Sequence, residues 1–386
     1  MSSKSKWQYS IIVPIYQNFS ILQIFLESLQ STILPETEII LISDGCPQEV
    51  KTLIEKYQRV FFSNHNVKII YHESPKGSVK SINEGLLIAN GNFVFFLDSD
   101  IILQNSWQKE FLETFKQNST IGIVGGVLLY PQTGGIQHCG VVFTSDMGRH
   151  LYLNGQVKGL PKNIYEVQSI VFAFCCIKKD VFTKGGYLDE EYFNGYEDYD
   201  FNFSARRNGF QVVVNPGIIA YHWEKSNGKH RTFNRKKNLA RFWRKWGNTV
   251  QCDFWPFLFK SLQNKVDKNN IEFVGIDLCE ARAEAITFWE EIKRTESVNI
   301  THVVDCSHRV KSDENIWLSE VMDKDLHRYS ARFLFIVDNF VKLQNNYYWY
   351  EIRKCVRGDD LIADMYANVY EFSEINSACW PGNKIR

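Results

Sequence analysis

Residues 92–103 read NFVFFLDSDIIL: an apolar run runs straight into Asp98, Ser99 and Asp100, and the chain then turns apolar again. An uninterrupted apolar run of this length fits a strand buried on both faces. Working outward, YSIIVPIY (9–16), TEIILIS (37–43) and NVKIIYH (66–72) read as further strands. Apolar residues at helical spacing fill Phe19–Ser31, a segment near Glu49–Tyr57, and about Ser78–Ala89. This alternation predicts an α/β fold with a mostly parallel central sheet and helices on both faces. Ligands bind such sheets at the carboxyl ends of the strands. Three of those ends are chemically suggestive: Pro14–Asn18, Asp44, and Asp98–Asp100.

Two carboxylates separated by one residue on a tight loop can face one hard cation. Mg²⁺ and Mn²⁺ take few protein oxygens and complete their shells with water and phosphate oxygens, so the implied partner is a diphosphate. The competing reading is an Asp cap that ends the strand and opens a turn. Taken alone, the tripeptide leaves both readings open.

Composition narrows the field. Lys+Arg and Asp+Glu both total 44 in 386 residues, so no global charge argues for nucleic acid or membrane as the main partner. Met1–Tyr9 is polar, and no stretch approaches the roughly 20 apolar residues of a membrane span. The expectation is a cytoplasmic protein, or one peripheral at the inner face of the membrane. The nine cysteines form no CxxC pair, which favours reduced thiols. P-loop and dinucleotide fingerprints are absent, which removes ATPase and dehydrogenase readings.

Beyond Ser106 the pattern predicts a helix to about Gln117, strands in IGIVGGVLLY and GGIQHCGVVF, and a strand running into a helix start within 166–182. A loop through GGYLDEEYFNGYED leads to a helix ending near Asn208, then strands in FQVVVNP and GIIAYHW. From Lys225 to Lys245 there are nine Lys or Arg and no acid. That run, extended to 225–246, admits three readings: contact with a donor diphosphate, peripheral contact with an anionic membrane, or a solvated helix packed through Phe242 and Trp246. Ser226–Arg231 is the part suited to close over a donor. From about residue 271 a second alternation begins, with strands in IEFVGID, ITHVVDC and ARFLFIVD, and helices near 280–293, Trp317 and 347–355. The expected organisation is a catalytic domain at 1–250, a linker at 251–270, and a smaller accessory α/β domain at 271–386.

The ordered set SIIVPIYQN, ILISDGC, PKGSVKSINEGLLIANGNFVFFLDSD, IQHCGVVF, GGYLDEEYFNGYEDYDFNFSARRNGF and AYHWEKSNG resembles the family 2 glycosyltransferases, over about residues 8–250. The resemblance implies a Rossmann-like GT-A fold and inverting transfer of a sugar from a nucleoside-diphosphate donor. A UDP-sugar is favoured, with a dTDP-sugar as the alternative, and the acceptor is a hydroxyl of a glycan, lipid-linked or protein-linked. It implies that Pro14 and Tyr16 line the nucleotide pocket and that Asp44 binds the base. Gly77, Lys80 and Asn83 would lie beside ribose and diphosphate, with Asp98 and Ser99 at the same corner. Asp100 becomes the principal ligand of Mn²⁺ or Mg²⁺, His222 a third ligand, and Asp198 the base that takes the acceptor's proton. Ser43 and Ser81 depart from the residues usual in the family, which leaves the nucleotide open.

The loop GGYLDEEYFNGY resembles the acceptor-side loop of that family, which implies an acceptor side here. Gly186 lets backbone approach a sugar closely, Tyr187 and Trp223 offer aromatic platforms, and Glu197 flanks Asp198 in the first turn of the predicted helix. Acids there also meet the helix dipole, a purely structural role open to Glu197 and Asp200. A nucleotidyltransferase or a non-catalytic sugar-binding module on the same fold are the rival functions.

Overall fold

The computed structural model describes residues 8–144, 148–223, 234–254 and 257–258, and then 271–277, 300–305, 332–337 and 360–377. The chain divides into two compact units, 1–141 with 160–250, and 142–159 with 251–386. No shift of composition marks 142–159 as part of the second unit.

The first unit opens with β1 (Tyr9–Ile15), α1 (Phe19–Thr32), β2 (Thr37–Asp44), α2 (Gln48–Lys56, continued by a π turn), β3 (Asn66–His72), α3 (Ser78–Ile88) and β4 (Phe93–Leu97). It continues with β5 (Ile101–Leu103), α4 (Trp107–Gln117), β6 (Ile121–Leu129), β7 (Ile136–His138) and the start of β8 (Val141–Phe143), which pairs with β9 (Gly148–His150). It closes with β10 (Tyr165–Glu166), β11 (Phe174–Lys178), α5 (Lys179–Gly185), α6 (Glu197–Arg207), β12 (Gln211–His222) and α7 (Arg235–Trp246).

A ten-stranded sheet runs β10-β12-β6-β11-β4-β1-β2-β3, with β5 added on β12 and β7 on β6. Strands β3, β2, β1 and β4 are mutually parallel, and β11 lies antiparallel between β4 and β6. The expected mostly parallel sheet is therefore present, with β11 as a reversed member. Two expected strands, FQVVVNP and GIIAYHW, are one: β12 stays paired with β6 through a register shift between Val214 and Ile219. Pro216 cannot donate to a ladder, and an irregularity at this point lets a strand carry it.

Burial follows the apolar pattern. Every residue of β2 and β6 is buried, as a sheet covered on both faces requires. Leu22, Phe25, Leu26 and Leu29 form the buried stripe of α1 at the spacing of one helix face. Phe95, Trp107, Phe111 and Phe174 pack with rings 5.1–6.2 Å apart, mostly edge to face, and seat α4 on the sheet. Glu38 is fully buried on β2, yet it accepts from Ser10 Oγ at 2.6 Å, Lys68 Nζ at 2.9 Å and the Asn90 amide. These bonds tie β1, β2, β3 and the entry to β4 together, and outweigh burial to hold its carboxyl below the ordinary range.

The second unit holds a five-stranded sheet, β14-β13-β15-β16-β17, made of β13 (Ile271–Asp277), β14 (Ile300–Asp305), β15 (Arg332–Val337), β16 (Leu361–Asp364) and β17 (Val369–Glu371). Its first three strands coincide with the expected ones, while β16, β17 and α8 (Phe372–Ser377) were not anticipated. The helices expected near 280–293, Trp317 and 347–355 lie outside the described residues. Segment 142–159 joins this unit through Phe143 N on Asp253 (2.7 Å), Tyr152 N on Tyr366 O (2.7 Å) and Asn368 Nδ2 on Leu153 O (3.0 Å). Burial pushes the Asp364 carboxyl up to about 6, against hydrogen bonds from Asn368 and the Tyr366 amide. Among the described residues, no helix is long and apolar enough to cross a membrane.

Candidate active site

The turn Asp98–Ser99–Asp100 joins β4 to β5, and the sheet positions it from both sides. Asp98 N donates to Ala173 O (2.9 Å), and Trp223 N donates to Asp100 O (3.0 Å). Antiparallel pairing sets His222, the last residue of β12, opposite Ile101. His222 Nε2 therefore lies 3.1 Å from Asp100 Oδ1 and 3.6 Å from Asp98 Oδ2. Asp100, Ser99 and His222 are buried and Asp98 is half-buried. One ligand atom from each of Asp98, Asp100 and His222 lies within 4.8 Å of the others. Two carboxylates and one imidazole, converging where burial penalises uncompensated charge, form a donor set that suits Mn²⁺, and Mg²⁺ with more water.

The nucleotide-side residues sort differently. Pro14 and Tyr16 are half-buried at the end of β1, and Lys80 is exposed on α3. Asp44 ends β2 as the organiser of the neighbouring loop: Oδ1 accepts from Lys76 N (2.7 Å) and Oδ2 from Gly77 N (2.9 Å). His72 Nδ1 also meets Asp44 at 2.7 Å, and its Nε2 meets Glu84 at 2.7 Å. The Lys76 ammonium, at 2.8 Å, holds the Glu84 carboxyl below its ordinary range, with His72 adding to the effect. The loop depends on two glycines with left-handed backbone: Gly45 (φ +69°), where a Cβ would sit 2.5 Å from Pro75 Cδ, and Gly77 (φ +93°), which faces the Phe193 ring.

Asn83, expected beside the ribose, spends its carboxamide on the loop before α6. Its Oδ1 accepts from Leu188 N (3.0 Å), and its Nδ2 donates to Leu188 O (2.9 Å) and Glu190 (3.1 Å). Ser78 Oγ adds a bond to Asn194 (3.3 Å). Helix α3 is thus pinned to the loop before α6.

That loop is held from its other side by α7. Asn238 Nδ2 donates to Phe193 O (3.0 Å) and Gly195 O (2.8 Å), and Arg241 pairs with Asp189 at 2.8 Å. Burial raises the Asp189 carboxyl, but hydrogen bonds from Arg241 and the Glu191 amide bring it below its ordinary range. Asn194 and Tyr196 take left-handed φ of 52° and 70°, and Gly195 takes 127°. Non-glycine residues persist in this region only where surroundings over-determine them, and here Asn238 bonds both flanking carbonyls. Part of the basic run thus clamps this loop; its first part, 224–233, lies outside the described residues.

The loop delivers Glu197, Asp198 and Asp200 in the first turn of α6. Their fates differ. Glu197 bonds the Gly195 amide and so braces the turn. Asp200 is buried and accepts from Trp246 Nε1 (2.8 Å), Lys245 Nζ (2.8 Å) and Tyr192 OH (3.2 Å), a structural lock on α7. Asp198 is half-buried and accepts Tyr199 N at 2.8 Å. Cys175 is buried on β11. Burial drives this thiol well above its ordinary range, and the carboxylates of Asp198 and Asp98 push it further.

Of the acceptor-side residues, Gly186 takes φ +81°, and a Cβ added there would meet nothing within 4 Å. Tyr187 is 51% exposed and lines a small cavity with Leu86, Lys179 and Phe182. The Trp223 indole N–H has no hydrogen-bond partner among the described residues. His138 is not a ligand here: its Nε2 accepts from Gly140 N (3.3 Å) and Val171 N (3.2 Å). His72, Glu84, Gln137, Asp189, Asn238 and Arg241 escaped sequence reasoning, since each acts on a partner distant in the chain.

Comparison with known proteins bears on the family and the fold. The model of the family "Glycosyl transferase family 2" matches residues 10–181. A poly-beta-1,6-N-acetyl-D-glucosamine synthase of Staphylococcus epidermidis RP62A is 24% identical over 250 residues, 64% of this chain and 56% of the relative. The uncharacterized protein y4gI of Sinorhizobium fredii is 28% identical over 243 residues, 60% of this chain and 26% of the relative. The chain thus spans between a quarter and three fifths of the length of these relatives. Among solved structures, GalNAc-T7 with UDP, GalNAc and Mn²⁺ superposes with a TM-score of 0.52 at 17% identity, over 68% of this chain and 52% of that one, which shows a shared GT-A fold. The part of the chain that carries Asp98, Asp100 and the strands around them thus matches the glycosyl transferase family 2 model, over residues 10–181.

Proposed function

We propose that the protein is an inverting glycosyltransferase that moves a sugar from a nucleoside diphosphate, UDP favoured, to a hydroxyl of a glycan, lipid-linked or protein-linked acceptor. The observation that carries this reading is the convergence of Asp98, Asp100 and His222, with one ligand atom from each within 4.8 Å of the others. The match to the family model over residues 10–181, and a relative named as a poly-beta-1,6-N-acetyl-D-glucosamine synthase, support the reading.

Asp98, Asp100 and His222 would hold a divalent cation, which supplies charge neutralisation to a departing diphosphate. Pro14 and Tyr16 would flank the nucleoside, and the loop that Asp44 organises would meet the phosphates. The acceptor oxygen forms its bond to the anomeric carbon from the face opposite the diphosphate. Its proton goes to Asp198, and the electron pair of the breaking carbon–oxygen bond leaves with the diphosphate. Asp198 suits this role as a half-buried carboxylate at the start of α6, whereas Asp200 is buried and consumed by α7.

The second unit would serve acceptor choice, association or partner binding. A cytoplasmic location with peripheral membrane contact through 225–246 fits the exposed Lys236 and Lys237 of α7. A panel of nucleotide sugars with Mn²⁺ or Mg²⁺ tests the proposal: one donor should release nucleoside diphosphate in step with acceptor glycosylation. Release of pyrophosphate from a nucleoside triphosphate instead would identify a nucleotidyltransferase.

A further inference from the structure

Gln137 lies at the centre of β7, is 6% exposed, and makes two hydrogen bonds to one residue. Its Nε2 donates to the His222 carbonyl (3.3 Å), and its Oε1 meets His222 Nδ1 at 2.5 Å. An amide nitrogen only donates and an amide oxygen only accepts. With the nitrogen committed to a carbonyl, the atom facing the ring is the oxygen, and Nδ1 must carry the hydrogen. The imidazole is thereby oriented with Nε2 toward Asp100 (3.1 Å) and Asp98 (3.6 Å). The adjacent His138 shows the opposite use of a ring, with Nε2 spent on two backbone amides.

We infer that Gln137 is a positioning residue for the acidic corner: it fixes the rotation of His222 and makes Nε2 the nitrogen offered to a divalent cation. Partners of this kind fix a ligating histidine's tautomer, and their loss typically weakens metal binding 10–100-fold. The inference rests on reading Asp98, Asp100 and His222 as a metal site.

Calorimetric titration of Mn²⁺ into the full chain without substrate separates the two claims. Gln137→Met should weaken Mn²⁺ binding about 10–100-fold. Gln137→Glu, which keeps an acceptor for Nδ1–H, should stay within about threefold of wild type. Melting temperatures in EDTA show whether each variant is folded, and ¹⁵N shifts of His222 with Mg²⁺ added read the tautomer directly. Equal Mn²⁺ affinity in Gln137→Met and wild type would overturn the inference, as would an equal loss in both variants or an Nε2-protonated neutral ring. Failure of wild type to bind Mn²⁺ would overturn the metal reading as well.

Discussion

Asp198 and Asp200, two residues apart in one helical turn, should give opposite phenotypes when changed. Asp200→Ala leaves the Trp246 indole N–H and the Tyr192 hydroxyl without their acceptor in sites only 2% and 1% exposed. Each stranded donor costs about 1–3 kcal/mol. The Lys245 ammonium, with its side chain 39% exposed, returns to water at about 0–1 kcal/mol. Together these give about 4 kcal/mol, or roughly 8–16 °C of melting temperature for a domain of this size. Asp198→Asn keeps an oxygen for Tyr199 N and a half-buried site, so stability should move by under about 0.5 kcal/mol. Its loss as a base should lower transfer about 10²–10⁴-fold. Thermal melts and nucleoside diphosphate release on the two variants supply the assay. An Asp198→Asn protein with undiminished transfer, or an Asp200→Ala protein that melts like wild type, would refute the assignment of roles.

Three further outcomes follow from single contacts. Gly45→Ala forces a Cβ to within 2.5 Å of Pro75 at φ +69°, so donor KM should rise and stability fall by about 1–3 kcal/mol, read by kinetics and melts; wild-type donor KM would count against this loop as the phosphate side. Glu38 is held below its ordinary value near 4.5, so its contribution is complete above that value and disappears as pH falls through the lower folded value; denaturation curves from pH 7 to 3 should show wild type losing its advantage over Glu38→Gln only on the acid side. Arg241→Met removes the 2.8 Å pair with Asp189 and should lower kcat several-fold with donor KM unchanged, because it loosens the loop that presents Asp198; a selective rise in donor KM would place the clamp elsewhere.

The parallel strands were legible because each is a buried run closed by turn residues, and Asp98 with Asp100 stood out because carboxylates seldom end such a run. Pairing of β12 with β5, which delivers His222, could be expected only through the family resemblance. Asp200 illustrates the limit of local reading. Its place in a first helical turn suggests a dipole role, whereas its partners Lys245 and Trp246 lie 45 and 46 residues downstream. Asn83 belongs to the same class, since a carboxamide's orientation depends on a loop more than 100 residues away. The basic run of α7 read most simply as solvated, because charge counts do not reveal that Asn238 and Arg241 point at loop carbonyls and Asp189.

The most direct test of the central claim is nucleoside diphosphate release from the best nucleotide sugar, measured with Mn²⁺, with EDTA, and in Asp100→Ala. A metal held by Asp98, Asp100 and His222 predicts release with Mn²⁺, its loss in EDTA with recovery on adding Mn²⁺, and a fall of at least about 10²-fold in Asp100→Ala with the fold intact. Full release by Asp100→Ala, or by wild type in EDTA, would contradict it.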